Sequence, residues 1–377
     1  MGGVENHVYQ VSRRLAQAGV SVTVVSTDTA GNLPKTEMID GVNLIRVRSY
    51  PRRSDWYFSP EVYRVARNGD AQGRQWDLVH IQNYLTFTSP MAMAGALRAG
   101  VPYIVTFHGG GHPSRLRNAI RGVQNQAYAP LLRRANKLIA TAKFEVNAFG
   151  KALNVPSSQF AYIPNGCDIA ANNNVAAQPL NPVAPLILSV GRLERYKGHQ
   201  QAIAAMPHVL REMPNAKLRI VGAGDYEGEL NALIVRLALQ ASAEVRAVRP
   251  TDRQGMAEVL ASASLVMLMS EYETHPMAML EAIALGRSVL VSNTSGLQEL
   301  ADDGYAQAAP LHSTPQQLAA TMLNQLRHPH RPKTMHLPTW DECADGLLKL
   351  YQEIVRQPVA RLQATQGHST LQFKDTA

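Results

Sequence analysis

Two cysteines in 377 residues are too few for a disulfide framework, and Cys167 and Cys343 lie too far apart for a shared metal-ligand spacing. Reduced cytosolic thiols are the simple expectation. Aromatic residues are sparse at 6%, and the basic stretches lack the interleaved rings on which bases stack, so nucleic acid is not an expected partner. No apolar run approaches the roughly 18 residues that a transmembrane helix needs. The opening MGGVENH has neither a basic n-region nor an apolar h-region. Asn6 stands where a myristoylation signal wants Ser or Thr, so neither a secretory leader nor that anchor is expected. Acidic side chains are outnumbered, 29 to 37, which leaves a formal charge of +8. That excess favours anionic partners, of which nucleotide diphosphates and acidic lipids remain.

The chain does contain a steady rhythm of short β-rich runs alternating with helical ones, the pattern of α/β architecture with parallel sheets. Strands are predicted at Val20–Ser26, Val42–Val47, Leu78–Ile81, Tyr103–Phe107, Leu138–Ala142 and Phe160–Ile163. A helix with Val4, Val8, Val11 and Leu15 on one face stops at Gly19, a suitable C′ residue. The stretch from Asn165 to Pro185 is rich in Asn, Ala and Pro and carries no period. A second rhythm then runs through Leu186–Val190, Lys217–Val221, Ala243–Val248, Leu265–Met269 and Ser288–Val291. The expected organisation is a first domain at 1–165, a linker at 166–185 and a second domain at 186–337. An amphipathic helix at 338–356 and a disordered tail at 357–377 complete it. Ligands of doubly wound domains bind at strand C-terminal ends, so the cleft between the domains is the expected site.

One feature departs from the pattern. A doubly wound domain begins with a strand whose following turn carries phosphate-binding glycines, yet Gly2 and Gly3 come first and no strand precedes them. A start assigned too late is the favoured reading. A true loss is the other, and it would leave two strand edges unpaired.

Chemistry concentrates in two segments of the second domain. In Ser270-Glu271-Tyr272-Glu273-Thr274-His275-Pro276-Met277, a strand runs into a loop, and Pro276 suits the first helical position. Glu273 then lies on the loop and Glu281 about a turn inside the helix, where amide groups favour phosphate. One carboxylate can hold sugar hydroxyls and the other ribose hydroxyls. Two solvated acids at a helix start are the alternative. The loop Gly191-Arg192-Leu193-Glu194-Arg195-Tyr196-Lys197-Gly198 places Arg192 and Lys197 at the sheet's C-terminal edge. Two cations there suit a diphosphate leaving group.

The Glu-x7-Glu pair, the GRL…KG loop, Pro164-Asn165-Gly166 with Asp168, Thr106-x-His108-Gly109, Gly2-Gly3-Val4-Glu5 and the Trp340 helix occur together and in this order. In this the chain resembles the retaining glycosyltransferase family 4 from about Met1 to Val355. The resemblance implies a GT-B fold, two Rossmann-like domains facing a cleft, here with the first strand of the N-terminal domain missing. It implies transfer of a sugar, of hexosyltransferase type, from a nucleotide-diphosphate sugar to a glycan or lipid-linked acceptor in surface polysaccharide or glycolipid synthesis. Retention would proceed by front-face attack assisted by a donor phosphate oxygen, without a protein nucleophile or an obligatory metal. His108, Glu273, Arg192 and Lys197 would serve catalysis. Gly2, Gly3, Arg192, Lys197, Gly222, Glu273, His275, Pro276, Met277 and Glu281 would form the donor site, with Lys197 and Arg192 on the diphosphate, Glu281 on the ribose and Glu273 on the sugar. The last helix would cross back onto the first domain. Lys197→Ala is expected to abolish turnover with little loss of folding.

Two positions depart from that family. Thr274-His275-Pro276 replaces the usual Gly-Phe-Gly, and His275 brings a hydrogen-bonding group of its own. Arg249 stands where a glycine often precedes the nucleobase pocket. Between Ser114 and Lys137, Arg115, Arg117, Arg121, Arg133 and Arg134 alternate with apolar residues. That segment reads as a solvated helix packed on the first domain, or as a surface for anionic headgroups on the cytoplasmic membrane face. A catalytically weak GT-B subunit that binds partners or membrane is the competing function.

Overall fold

The computed structural model describes residues 3–51, 57–109, 115–167, 181–247, 252–332 and 336–356, with the backbone alone at 115–120 and 253. The chain opens on helix α1 (Gly3–Gln17), which buries Val11 and Leu15 and ends just before the left-handed Gly19. A three-stranded sheet follows: β1 (Thr23–Asp28) runs parallel to β3 (Val42–Arg48), and β2 (Thr36–Ile39) pairs antiparallel with β3. The β2–β3 connection is Asp40-Gly41, both at positive φ, the backbone of a tight two-residue hairpin. The sequence reading missed β2, whose side chains are all exposed and carry no buried face to betray it.

Helix α2 (Pro60–Asn68) leads to a four-stranded parallel sheet, β4 (Val79–Gln82), β5 (Tyr103–Thr106), β6 (Lys137–Ala140) and β7 (Phe160–Tyr162) in that order. Helices α3 (Thr88–Ala99), α4 (Arg115–Leu132) and α5 (Lys143–Leu153) connect its strands. Tyr103, Val105, Phe107, Leu132, Leu138 and Leu153 form much of the core on one face of this sheet. The first domain thus carries two sheets. β1 and β4 each pair along one edge only, and among the described residues no strand precedes α1.

The second domain is one six-stranded parallel sheet, ordered β10-β9-β8-β11-β12-β13. Its strands are β8 (Leu186–Val190), β9 (Lys217–Val221), β10 (Ala243–Arg246), β11 (Leu265–Leu268), β12 (Ser288–Ser292) and β13 (Gln307–Ala309). Between them lie α6 (His199–Glu212), α7 (Glu227–Arg236), α8 (Arg253–Ala261), α9 (Met277–Ala284) and α10 (Ser295–Asp302), and α11 (Pro315–Arg327) follows β13. Apolar clusters cover both faces, which is why β11 and β12 are buried at every residue. The order turns at β8, which lies between β9 and β11. Loops leaving β8 and β11 therefore flank the switch point, where open α/β sheets bind ligands.

The last helix, α12 (Trp340–Arg356), packs on the first domain. Trp340, Cys343, Leu347, Leu350 and Ile354 close against Val11, Leu15, Ile104 and Ile139, and Arg14 pairs with Asp341 at 2.5 Å. Each such Leu or Ile contributes on the order of 1.5–3 kcal/mol when buried. No helix among the described residues is long and apolar enough to cross a membrane.

Candidate active site

The two loops at the switch point meet directly. Lys197, at the end of the β8 loop, forms an ion pair and hydrogen bond with Glu273 on the β11 loop, and both side chains are mostly buried. The Lys197 ammonium also lies 5.2 Å from the centre of the Tyr196 ring. Arg192 is more exposed and pairs with Glu194 at 2.5 Å while donating to the Tyr196 hydroxyl at 2.9 Å. Glu281 is buried in the second turn of α9 and is engaged by another group. Pro276 caps α9 as the residue before its first turn, one position earlier than the sequence placed it. Met277 is a packing residue, touching both the second-domain core and the α1–α12 cluster.

Glycines hold these loops against one another. A Cβ on Gly222 would overlap the Gly191 carbonyl oxygen, and one on Gly224 would overlap that of Leu193. In this structure those two glycines let the turns after β8 and β9 approach each other. His199 fastens the β8 loop from beneath. It donates through Nε2 to the Arg192 carbonyl at 3.1 Å, so Nδ1 accepts from Ser189 Oγ at 2.8 Å. Burial lowers its pKa to about 4, keeping the ring neutral. The β11 loop is held by the start of α10: Glu273 N–H donates to Ser295 Oγ at 2.8 Å, and Gly296 N–H to the Glu273 carbonyl at 2.9 Å. Gly296 is required there, because a Cβ would overlap the Thr274 carbonyl oxygen. Sequence reasoning missed His199, Ser295 and Gly296. The available signal was a small-residue run, Ser292-Asn293-Thr294-Ser295-Gly296, directly after a strand next to β11.

The first domain faces this arrangement with histidines and amides. His108 follows β5 and donates through Nε2 to Gln82 Oε1 at 2.7 Å, at the end of β4. His7 on α1 donates through Nδ1 to Asn165 Oδ1 at 2.7 Å, and its ring lies edge-on to His108, 4.7 Å between centres. The Asn165 backbone in turn accepts from the His275 ring, joining Pro164-Asn165-Gly166 to the β11 loop. His80 sits between the Tyr351 hydroxyl at 2.5 Å and Thr106 Oγ1 at 2.6 Å. Burial lowers His7 and His275 to about 4, His80 to about 3 and His108 well below its usual value. These are neutral hydrogen-bonding rings at pH 7. The Nε2 atoms of His7 and His275 and the Nε1 of Trp340 are buried without a protein partner.

The domains touch beside the histidines. Gly109 packs so closely on Phe149, Glu145 and Tyr272 that a Cβ would come within 3.2 Å of the Tyr272 hydroxyl. Phe144 meets the Tyr272 ring edge-to-face at 5.7 Å. Glu145 accepts from the Thr141 and Ala142 amides at 2.8 and 3.1 Å, and burial raises its pKa to about 7. Gly166 has a local cause as well: a Cβ there would overlap the backbone of Trp340. Gly3 differs, since it is exposed and a Cβ there would meet nothing. Gly2, Asp168 and Arg249 lie outside the described residues, as do the side chains of Arg115 and Arg117. Among the described residues no three His, Cys, Asp or Glu side chains form a cluster suited to a metal ion.

Two doubly wound domains apposed at their strand C-terminal ends, with a Lys–Glu loop pair on one side and a strand-end histidine on the other, define a glycosyltransferase of the GT-B fold. Residues 1–171 match the description Glycosyltransferase Family 4, residues 172–336 match Glycosyl transferases group 1, and the chain belongs to this family of glycosyltransferases. It is 27% identical over 390 aligned positions to D-inositol 3-phosphate glycosyltransferase of Nocardiopsis dassonvillei, covering 93% of this chain and 89% of that protein. It is 28% identical over 328 positions to glycogen synthase of Mycobacterium tuberculosis, covering 81% and 77%. Among solved structures, Anabaena HepE in complex with UDP-glucose superposes with a TM-score of 0.65 at 18% identity, covering 94% of this chain and 95% of that one.

Proposed function

We propose that this chain transfers a hexose from a nucleotide-diphosphate sugar to a glycan or lipid-linked acceptor with retention of anomeric configuration, in surface polysaccharide or glycolipid synthesis. The observation that carries the reading is the Lys197–Glu273 pair at the switch point, facing the His108 loop across the cleft. A diphosphate entering there competes for Lys197, and the charge developing on the leaving group is stabilised by Lys197 and Arg192. Glu273, released from Lys197, turns to sugar hydroxyls, while Glu281 serves the ribose. His108 is neutral, with Nε2–H committed to Gln82, so it acts by hydrogen bonding and position rather than by charge. Gly3 fits close approach of the diphosphate, because no packing contact among the described residues demands glycine there. His275 joins the donor site through its ring, and Gly222 shapes it by holding the neighbouring loops together.

In this reading the two cations serve the leaving group and no resident metal is required. The UDP-glucose complex of HepE makes UDP-sugars the first donors to test. Arg121 on α4, with Arg133 and Arg134 just beyond its end, supplies a contact for anionic lipid, placing the enzyme on the cytoplasmic face of the membrane when its acceptor is lipid-linked. A thermal-shift panel of UDP-, GDP-, ADP- and TDP-sugars tests the proposal. One donor should raise the midpoint in proportion to the logarithm of its concentration, and no response to any of them would overturn it.

A second reading, a GT-B subunit with weak activity that binds partners or membrane, draws on the divided first-domain sheet. Release of nucleoside diphosphate from the bound donor separates the two.

A further inference from the structure

Helix α5 of the first domain begins without a capping side chain of its own, because its N-cap residue is Ala142. The first amides of a helix need acceptors. Glu145 satisfies those of Thr141 and Ala142 from within the helix. The next two are satisfied from the other domain: Glu299 of α10 accepts from Lys143 N–H through Oε2 at 3.0 Å and from Phe144 N–H through Oε1 at 2.5 Å. Lys143 Nζ adds an ion pair to Asp303 at 3.1 Å. A groove of about 480 Å³ remains open beside these contacts, lined by Lys143, Phe144, Ser295 and Glu299 among others.

The same α10 holds the candidate donor loop by its first turn. Ser295 and Gly296 bind the Glu273 backbone, and Glu299 stands one turn further along. A single short helix therefore contacts the donor loop at one end and the opposite domain at the other. We propose that Glu299 is a positioning residue: it caps α5 across the cleft, holds the domains closed, and couples the placement of Glu273 to that closure. This rests on the donor-site reading given above, but the capping contact itself does not depend on it.

The test uses the full chain with dyes on Val123→Cys and Val235→Cys, exposed positions on α4 and α7, while the native Cys167 and Cys343 are buried. Energy transfer between the dyes reports the domain separation. Glu299→Ala should lower the transfer and raise KM for UDP-glucose, or for whichever donor the panel identifies, by roughly tenfold or more, as expected for losing hydrogen bonds to a charged group. The turnover number at saturating donor should change much less, and saturating donor should restore the transfer. Glu299→Gln, which keeps acceptor capacity, should lie between the two. The exposed variant Lys143→Met should lower the transfer to a smaller degree, and it serves if Glu299→Ala fails to fold. Unchanged transfer in both Glu299→Ala and Lys143→Met would overturn the proposal, as would a Glu299→Ala defect confined to thermal stability. If the wild-type chain binds no sugar nucleotide, the donor reading fails, and the energy-transfer comparison still decides the latch.

Discussion

Lys197 is the side chain whose setting most changes what a mutation is expected to do. The sequence alone predicts that Lys197→Ala stops turnover with little effect on folding. In the structure its loss leaves Glu273 mostly buried and without its cation, which costs on the order of 1–3 kcal/mol. Lys197→Ala should therefore lose both turnover and some stability, whereas Lys197→Ala combined with Glu273→Gln should recover stability without turnover. Denaturant unfolding and initial rates of diphosphate release check this pair, and recovery of turnover in the double variant would contradict it. His199 offers a second residue-level test. His199→Phe keeps a buried aromatic ring, slightly larger, but removes both hydrogen bonds that fix the Arg192 loop. KM for the donor should rise by roughly tenfold, in line with the loss of about one or two hydrogen bonds, with the turnover number changed less. The placement of Arg192 and Lys197 just beyond β8 was legible because an apolar strand pattern runs directly into their loop. His199 was not, since a buried neutral histidine looks in sequence like any residue at a helix start.

Among the elements, the loops and first turns decide more than the strands do. Gly296→Ala would drive a methyl into the Thr274 carbonyl and should cost about 1–3 kcal/mol through overpacking, together with donor affinity. Gly3→Ala meets no atom of the described residues, so its unfolding midpoint should stay unchanged while turnover falls. Calorimetry and kinetics on the two variants give opposite patterns if the assignments hold, and a stable, fully active Gly3→Ala would remove Gly3 from the donor site. In the second domain β8, β11 and β12 were readable because they are largely buried apolar runs between turn residues. β2 and β13 were not. β2 is wholly exposed, and β13 is the three-residue Gln307–Ala309 at a sheet edge, too short to show a period. The Asp40-Gly41 pair was the overlooked cue for the first.

At the scale of the whole molecule, the domain seam and the histidine cluster beside it are built from contacts that no local pattern announces. Glu299 meets Lys143 and Phe144, His7 meets Asn165, and His80 meets Tyr351, each pair separated by more than half a domain of sequence. The seam also predicts how stability follows pH. His7, His80 and His275 are held at about 4, 3 and 4 against an unfolded value of 6.5. Their contribution is present above 6.5 and is lost as pH falls toward 4, because the unfolded chain binds protons that the folded one refuses. Glu145, raised from 4.5 to about 7, acts in the opposite sense and weakens the fold as pH rises through that interval. Denaturant unfolding at pH 7.5, 6 and 5 should show a net loss toward acid. Glu145→Gln removes the opposing component, so its stability should fall more steeply below pH 6.5. A stability that rose on acidification in that variant would contradict neutral histidines in the seam.

The proposed donor site, shared by the switch-point loops and the histidine face, stands or falls on the stereochemistry of transfer. Proton NMR of the anomeric signals, recorded while the enzyme consumes an α-linked nucleotide sugar, tests it most directly. Diphosphate release with product of α configuration is expected from the wild-type chain, and neither from Lys197→Ala. A β-configured first product, or turnover that survives in Lys197→Ala, would contradict it.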